Sequence, residues 1–161
     1  MSTTSDYAGR TYDLVAWQGL GGPVPVGGLA RLRPALADPG AGGTILAGVA
    51  KMGQRATLLL LTERASLRYA ADVGTMFMAE ARRGRWRTAL DVQQAFYAAL
   101  VDVRRQMSRL ELDTDPDDER LADGELLSVG LAGDRVEIGV QWTSRAGSAA
   151  KMIAPIATVV K

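Results

Sequence analysis

The chain predicts an α+β fold, with helices first and a small antiparallel sheet after them. Three observations carry this. Apolar residues recur at helical spacing across residues 44–61 and 89–111, the period turns to strict alternation after residue 125, and a Gly/Pro-rich stretch precedes both. The predicted helices are 44–61, 76–83 and 89–111, and the sheet spans about 125–160. We divide the chain into a polar tail at 1–11, read as mobile, an extended segment at 12–43, and one α+β domain at 44–161.

Segment 12–43 holds Gly19-Leu20-Gly21-Gly22-Pro23, Gly27-Gly28, Pro34, Pro39-Gly40 and Gly42-Gly43. Gly permits unusual φ angles and Pro fixes φ, so loops and short extended pieces are expected. Tyr12, Leu14, Val15, Trp17, Val24, Val26, Leu29 and Leu32 make it too apolar for a solvated linker. It is expected to lie against its own domain or a partner.

Thr44 is the expected cap of the first helix. Ile45, Val49, Met52, Ala56, Leu59 and Leu60 form its stripe, and Lys51, Gln54 and Arg55 are its only strongly polar residues. Such a helix needs cover on several sides, some of it expected from another chain. A connector, Thr62–Thr75, leads to Met76–Arg83. Arg82 and Arg83 suit a helix C-terminus, where the dipole favours cations, and Gly84 can end it.

Thr88, with Asp91 three residues on, predicts the start of the long third helix. Leu90, Val92, Phe96, Ala99, Leu100, Val103, Met107 and Leu110 form its apolar stripe. Asp113, Asp115, Pro116, Asp117, Asp118 and Glu119 then read as a solvated acidic loop. Val136, Ile138, Val140 and Trp142 alternate with polar or small residues, which marks a half-buried strand. Leu127, Val129 and Leu131 are its predecessor across the turn Ala132-Gly133-Asp134. Met152–Val160 is a third extended piece. Pro155 cannot donate to a ladder, which places that piece at an edge or leaves it partly unpaired.

Composition removes several chemistries. The 161 residues include no Cys and no His. Disulfides, thiolate catalysis, the usual zinc sites and His-based serine triads are therefore excluded. A net charge of +1 gives no electrostatic reason to expect nucleic acid. Met1–Arg10 lacks the apolar core of a signal peptide, and the longest apolar run, Ala56–Leu61, falls far short of the ~20 residues that span a bilayer. The expected setting is the cytoplasm, or a particle assembled there.

The remaining clusters have low specificity. Counted from Asp113, a calcium loop needs Gly at its sixth position and Glu at its twelfth, where Asp118 and Gly124 stand. Glu63, Asp72, Glu80 and the acidic loop offer carboxylates for glycoside hydrolysis, but nothing marks an apolar pocket to keep one protonated. Arg82, Arg83, Arg85 and Arg87 around Trp86 suit a surface turn or a protein interface better than a nucleic-acid patch. The glycines at 19–28 do not form a nucleotide fingerprint. No cofactor is expected.

Two stretches carry a resemblance. The connector, with Thr62, Ser66, Tyr69, Asp72 and Gly74 in order, resembles the small baseplate wedge protein of contractile phage tails, a family often labelled lysozyme-like. Ala65 and Ala71 stand where that family often has Gly and Pro. After the long helix, Asp118-Glu119-Arg120-Leu121 followed by Leu126-Leu127-Ser128-Val129 is similar to its Glu-Pro-Arg-type motif, with Glu119 replacing Pro. The resemblance covers about residues 44–160. It implies a structural, non-enzymatic virion protein, assembled in a bacterial cytoplasm. It further implies six copies around a sixfold baseplate, with larger wedge proteins and the tail sheath as partners and no nucleic acid or membrane. Partner contacts are implied at Thr62 and Gly74, at Asp118 and Arg120, and at Val136, Ile138, Ile153 and Ile156 of the strands. The alternatives are a muramidase-like hydrolase or another tail connector.

Overall fold

The computed structural model describes residues 13–14, 17–18, 30–31, 33–34, 45–133 and 135–157. The 1–11 tail, most of segment 12–43 and the Thr44 cap lie outside these. Five two-residue strands come first: β1 (Asp13–Leu14), β2 (Trp17–Gln18), β3 (Ala30–Arg31), β4 (Arg33–Pro34) and β5 (Ile45–Leu46). Helices α1 (Gly48–Leu61), α2 (Phe77–Arg82) and α3 (Ala89–Leu110) follow. A 3-10 turn (Asp117–Glu119) then leads to β6 (Leu121–Ala132), β7 (Arg135–Ser144) and β8 (Ala149–Ala157). Three helices packed on a C-terminal three-stranded antiparallel sheet are thus the predicted α+β architecture. The extended segment touches it in places. β1 pairs with β5, and β3 adds to β8 in parallel, giving the order β3-β8-β7-β6; β2 pairs with β4 within the segment itself. Asp13 also reaches α1, where its carboxylate accepts from Arg55 Nε at 2.5 Å and raises the Arg55 pKa.

The first helix starts later than its periodicity implies. Ile45 is a strand residue, and Gly48 opens α1 with φ 63, a left-handed value that Gly adopts without strain. No side chain at the Ala47 N-cap bonds to the helix. Glu119 acts instead: its Oε1 accepts from Gly48 N–H at 2.9 Å, which places a carboxylate at the positive end of the helix dipole. Lys51, one turn on, pairs with the other oxygen of Glu119. The acidic loop is therefore not wholly solvated, since Glu119 is buried between α1 and the sheet.

Nor is α1 left open for another chain. Lys51, Met52, Gly53, Gln54, Ala56, Thr57, Leu59 and Leu60 are all buried, and α3, β7 and β8 supply the cover. A Cβ on Gly53 would stand 2.7 Å from the Ala150 side chain, so only glycine allows this approach of helix to strand. Thr57 Oγ1 donates to Gly53 O and accepts from Trp142 Nε1 at 2.8 Å, which satisfies the buried indole. Trp142, Phe96, Phe77, Met52 and Ile138 fill the centre of the core.

Gly84 (φ 65) follows the Arg83 C-cap of α2, and α3 begins in a capping box. Asp91 N–H donates to Thr88 Oγ1, and Thr88 N–H donates to Asp91 Oδ2 at 2.7 Å. The stripe of α3 is buried from Val92 to Met107, but Leu90 and Leu110 at its two ends are exposed.

β6 starts four residues earlier than expected and changes face midway. Gly124 lies opposite Trp142 and Leu126 opposite Val140, but after a bulge Val129 lies opposite Ile138 and Leu131 opposite Val136. Directly opposed residues share a face, so the core-side positions are even from Gly124 to Leu126 and odd after the bulge, where Val129 is half-buried and Leu131, at the rim, is 43% exposed. Leu127 is the extra residue and is exposed. No single alternation covers the strand, which is why only its second half showed a pattern. Gly124 has a packing reason: a Cβ there would meet the Trp142 ring at 2.5 Å.

Candidate functional site

The eight residues singled out from sequence fall into three places. Thr62 and Gly74 form the base of the connector loop. Thr75 N–H donates to Thr62 O at 2.8 Å, and Arg64 N–H donates to Thr75 O. Gly74 has φ 92, and a Cβ there would lie 2.3 Å from Thr62 O. Gln106 of α3 grips Gly74 on both sides: Oε1 accepts from its N–H at 2.8 Å, and Nε2 donates to its carbonyl at 2.9 Å. A fourteen-residue loop is thereby pinned at its neck. Its tip is open, with Tyr69 93% exposed and the Arg68 guanidinium 5.6 Å from that ring.

Asp118 and Arg120 flank buried Glu119 in the turn before β6. Arg120 Nη2 donates to Leu112 O at 2.7 Å and sits 3.8 Å from Asp113. Its side chain is mostly covered, so it braces its own turn; Asp118 is half-buried. Val136, Ile138 and Ile156 are core residues, and Ile153 is half-buried. Val136 and Ile138 also lie on β7, which is paired on both sides and offers no free backbone.

The open backbone is on β6 instead. It pairs with β7 along one side, and no strand lies on its other side among the described residues. Twelve residues form this edge, with Glu125, Leu127, Ser128, Gly130 and Leu131 exposed. An edge with unpaired N–H and C=O groups accepts an added strand, and the bulge at Leu126/Ser128 restricts the registers in which one can pair.

The carboxylates considered for hydrolysis do not converge. Glu63 pairs with Arg82, Glu80 accepts two bonds from Arg85, and Asp72 is exposed 3.8 Å from Arg109. A hollow of about 290 Å³ is lined by Arg64, Asp72, Arg105, Gln106 and Arg109. Two of its arginines are already paired with Asp102. Among the described residues no group of three or more acids is placed to hold a metal ion, and no helix is long and apolar enough to cross a membrane.

Sequence reasoning passed over Gln106 and the Lys51–Glu119 pair. Gln106 had a signal: it lies between Val103 and Met107 on the core side of α3, where an amide needs a partner. Comparison with protein-family models, with curated proteins and with solved structures returns no match for this chain.

Proposed function

We propose that this protein is a structural subunit, not an enzyme: a baseplate wedge component of a contractile phage-type tail. In this role it holds larger wedge proteins and starts the sheath by accepting a strand. The open edge of β6 carries the reading, because it offers a long row of backbone donors and acceptors to a neighbouring chain. The likeness of Thr62–Thr75 and Asp118–Val129 to the wedge family supports the baseplate setting.

Leu131→Lys tests the proposal. Leu131 is 43% exposed at the end of β6, and a charge at an edge opposes strand addition without disturbing the core. Particles assembled with this variant should contain baseplates that lack sheath. Electron microscopy of wild-type particles should place the chain beneath the first sheath ring. Finding the chain elsewhere, or normal sheath on the variant, would overturn the proposal.

A further inference from the structure

The two edges of the sheet are guarded unequally. β8 carries exposed Lys151 and Pro155, and β3 covers it at Met152 and Ile153. Lysine and proline on an edge both oppose strand addition. β6 has neither device. Leu126–Ala132 holds no charged residue and no proline, and no strand lies along its outer side among the described residues. An uncharged edge of this kind is a template for another strand.

The hairpin fixes which backbone groups point outward. Two residues join Ala132 to Arg135, so these form a hydrogen-bonded pair, and bonded pairs alternate with unbonded ones along the ladder. Ser128, Gly130 and Ala132 therefore bond to β7, while Val129 and Leu131 turn their N–H and C=O groups to the open side. A twofold pairing of this edge with itself is antiparallel. Centred on Gly130, it sets Val129 of each copy against Leu131 of the other. All four outward-facing residues then bond, and their apolar side chains meet on the core side of the sheet. Centred on Leu131, the pairing would use one such residue per copy. Centred on Val129, it would run Leu131 into Leu127, the bulge residue.

We infer that β6 pairs edge to edge with β6 of a second copy, antiparallel about a twofold axis at Gly130, joining two four-stranded sheets into one. This rests on the proposed strand-accepting edge, with a second copy holding it until a sheath strand takes its place. The charges favour this register. Glu125 and Arg135 are both exposed on the solvent face. Glu125 of one copy falls just past the hairpin end of the other, roughly 12 Å from its Arg135 between backbones, within the joint reach of the two side chains. The two Glu137 residues stand three strand spacings apart, about 14 Å, which exceeds the ~8 Å screening length at physiological salt. Gly130 sits on the axis with open space around it: a Cβ there would meet nothing closer than 3.8 Å.

The test uses the full chain. Sedimentation velocity should show a monomer–dimer equilibrium below about 200 µM, and Leu131→Lys should be monomeric with unchanged circular dichroism. The chain has no cysteine, so Gly130→Cys supplies a single thiol that the axis sets against its own copy. Mild oxidation should link it at least about tenfold faster than Ser128→Cys, which lies opposite Ala132 of the other copy. Glu125→Arg should weaken the dimer about fivefold, and adding Arg135→Glu should restore it. A chain that stays monomeric, a dimer that Leu131→Lys leaves intact, or equal linking of the two cysteine variants would overturn the inference. A monomeric chain whose particles still need Leu131 for their sheath would sink the dimer alone. A dimer that Leu131→Lys dissolves while its particles keep normal sheath would sink the assembly role alone.

Discussion

Lys51→Met removes one half of the buried ion pair that joins α1 to the 3-10 turn. Both side chains are 1% exposed, and the Glu119 carboxylate also accepts from Gly48 N–H at the start of α1. Methionine keeps most of the lysine stem, so packing changes little. The loss is electrostatic: Glu119 keeps a buried charge without its ammonium partner. Breaking a buried pair in this way costs about 3–5 kcal/mol. Domains of this size have about 5–15 kcal/mol in total, so the variant should be close to unfolding. Adding Glu119→Gln should recover much of the loss. The amide carries no charge, and its carbonyl still accepts from Gly48, leaving a deficit of about 1–2 kcal/mol. Urea denaturation followed by circular dichroism measures all three proteins, with tryptophan fluorescence as a second probe. A Lys51→Met cost below about 1 kcal/mol would refute the reasoning. So would a double variant no more stable than the single one.

Two further outcomes are expected. Ala65 holds φ 66, a left-handed value that costs an L-residue roughly 1–2 kcal/mol, so Ala65→Gly should stabilise by about 1 kcal/mol and raise Tm by about 2–4 °C in a thermal melt; a lower Tm would contradict the strain. The Asp91 pKa lies below its ordinary 3.8 because Thr88 donates to the carboxylate from its side chain and backbone, with Arg87 N–H adding a third bond. A depressed carboxylate stabilises the fold above the unfolded pKa, and the contribution is lost as pH falls through the folded one. Acid titration of stability should therefore show a decline below about pH 4 that Asp91→Asn makes shallower, and parallel curves for the two proteins would count against the capping box as its source.

What was legible in the sequence was what local patterns decide. α2 and α3 came within a residue of their predicted ends because Thr88-Asp91 and Gly84 act on their immediate neighbours. The β6–β7 turn and the inward set Val136, Ile138, Val140 and Trp142 were readable because alternation is a property of the strand itself. The start of α1 was not, because its cap arrives from Glu119, 71 residues away. The inward set of β6 was masked by the bulge, which shifts the parity of the pattern midway.

The candidate sites divide in the same way. Thr62, Gly74, Asp118 and Arg120 were identified by order and residue type, which mark a special backbone but not what it faces. Only the fold showed that Gln106 closes the Gly74 neck and that Arg120 turns back onto Leu112. The open surface was also settled in three dimensions: β6 is an edge because of the sheet order. The sequence by itself determined the helix-then-sheet order and the absence of thiol and imidazole chemistry, since periodicity and composition are local quantities. Tertiary structure decided which apolar residues stay in water and which backbone groups stay unpaired, because both depend on what the rest of the chain leaves uncovered.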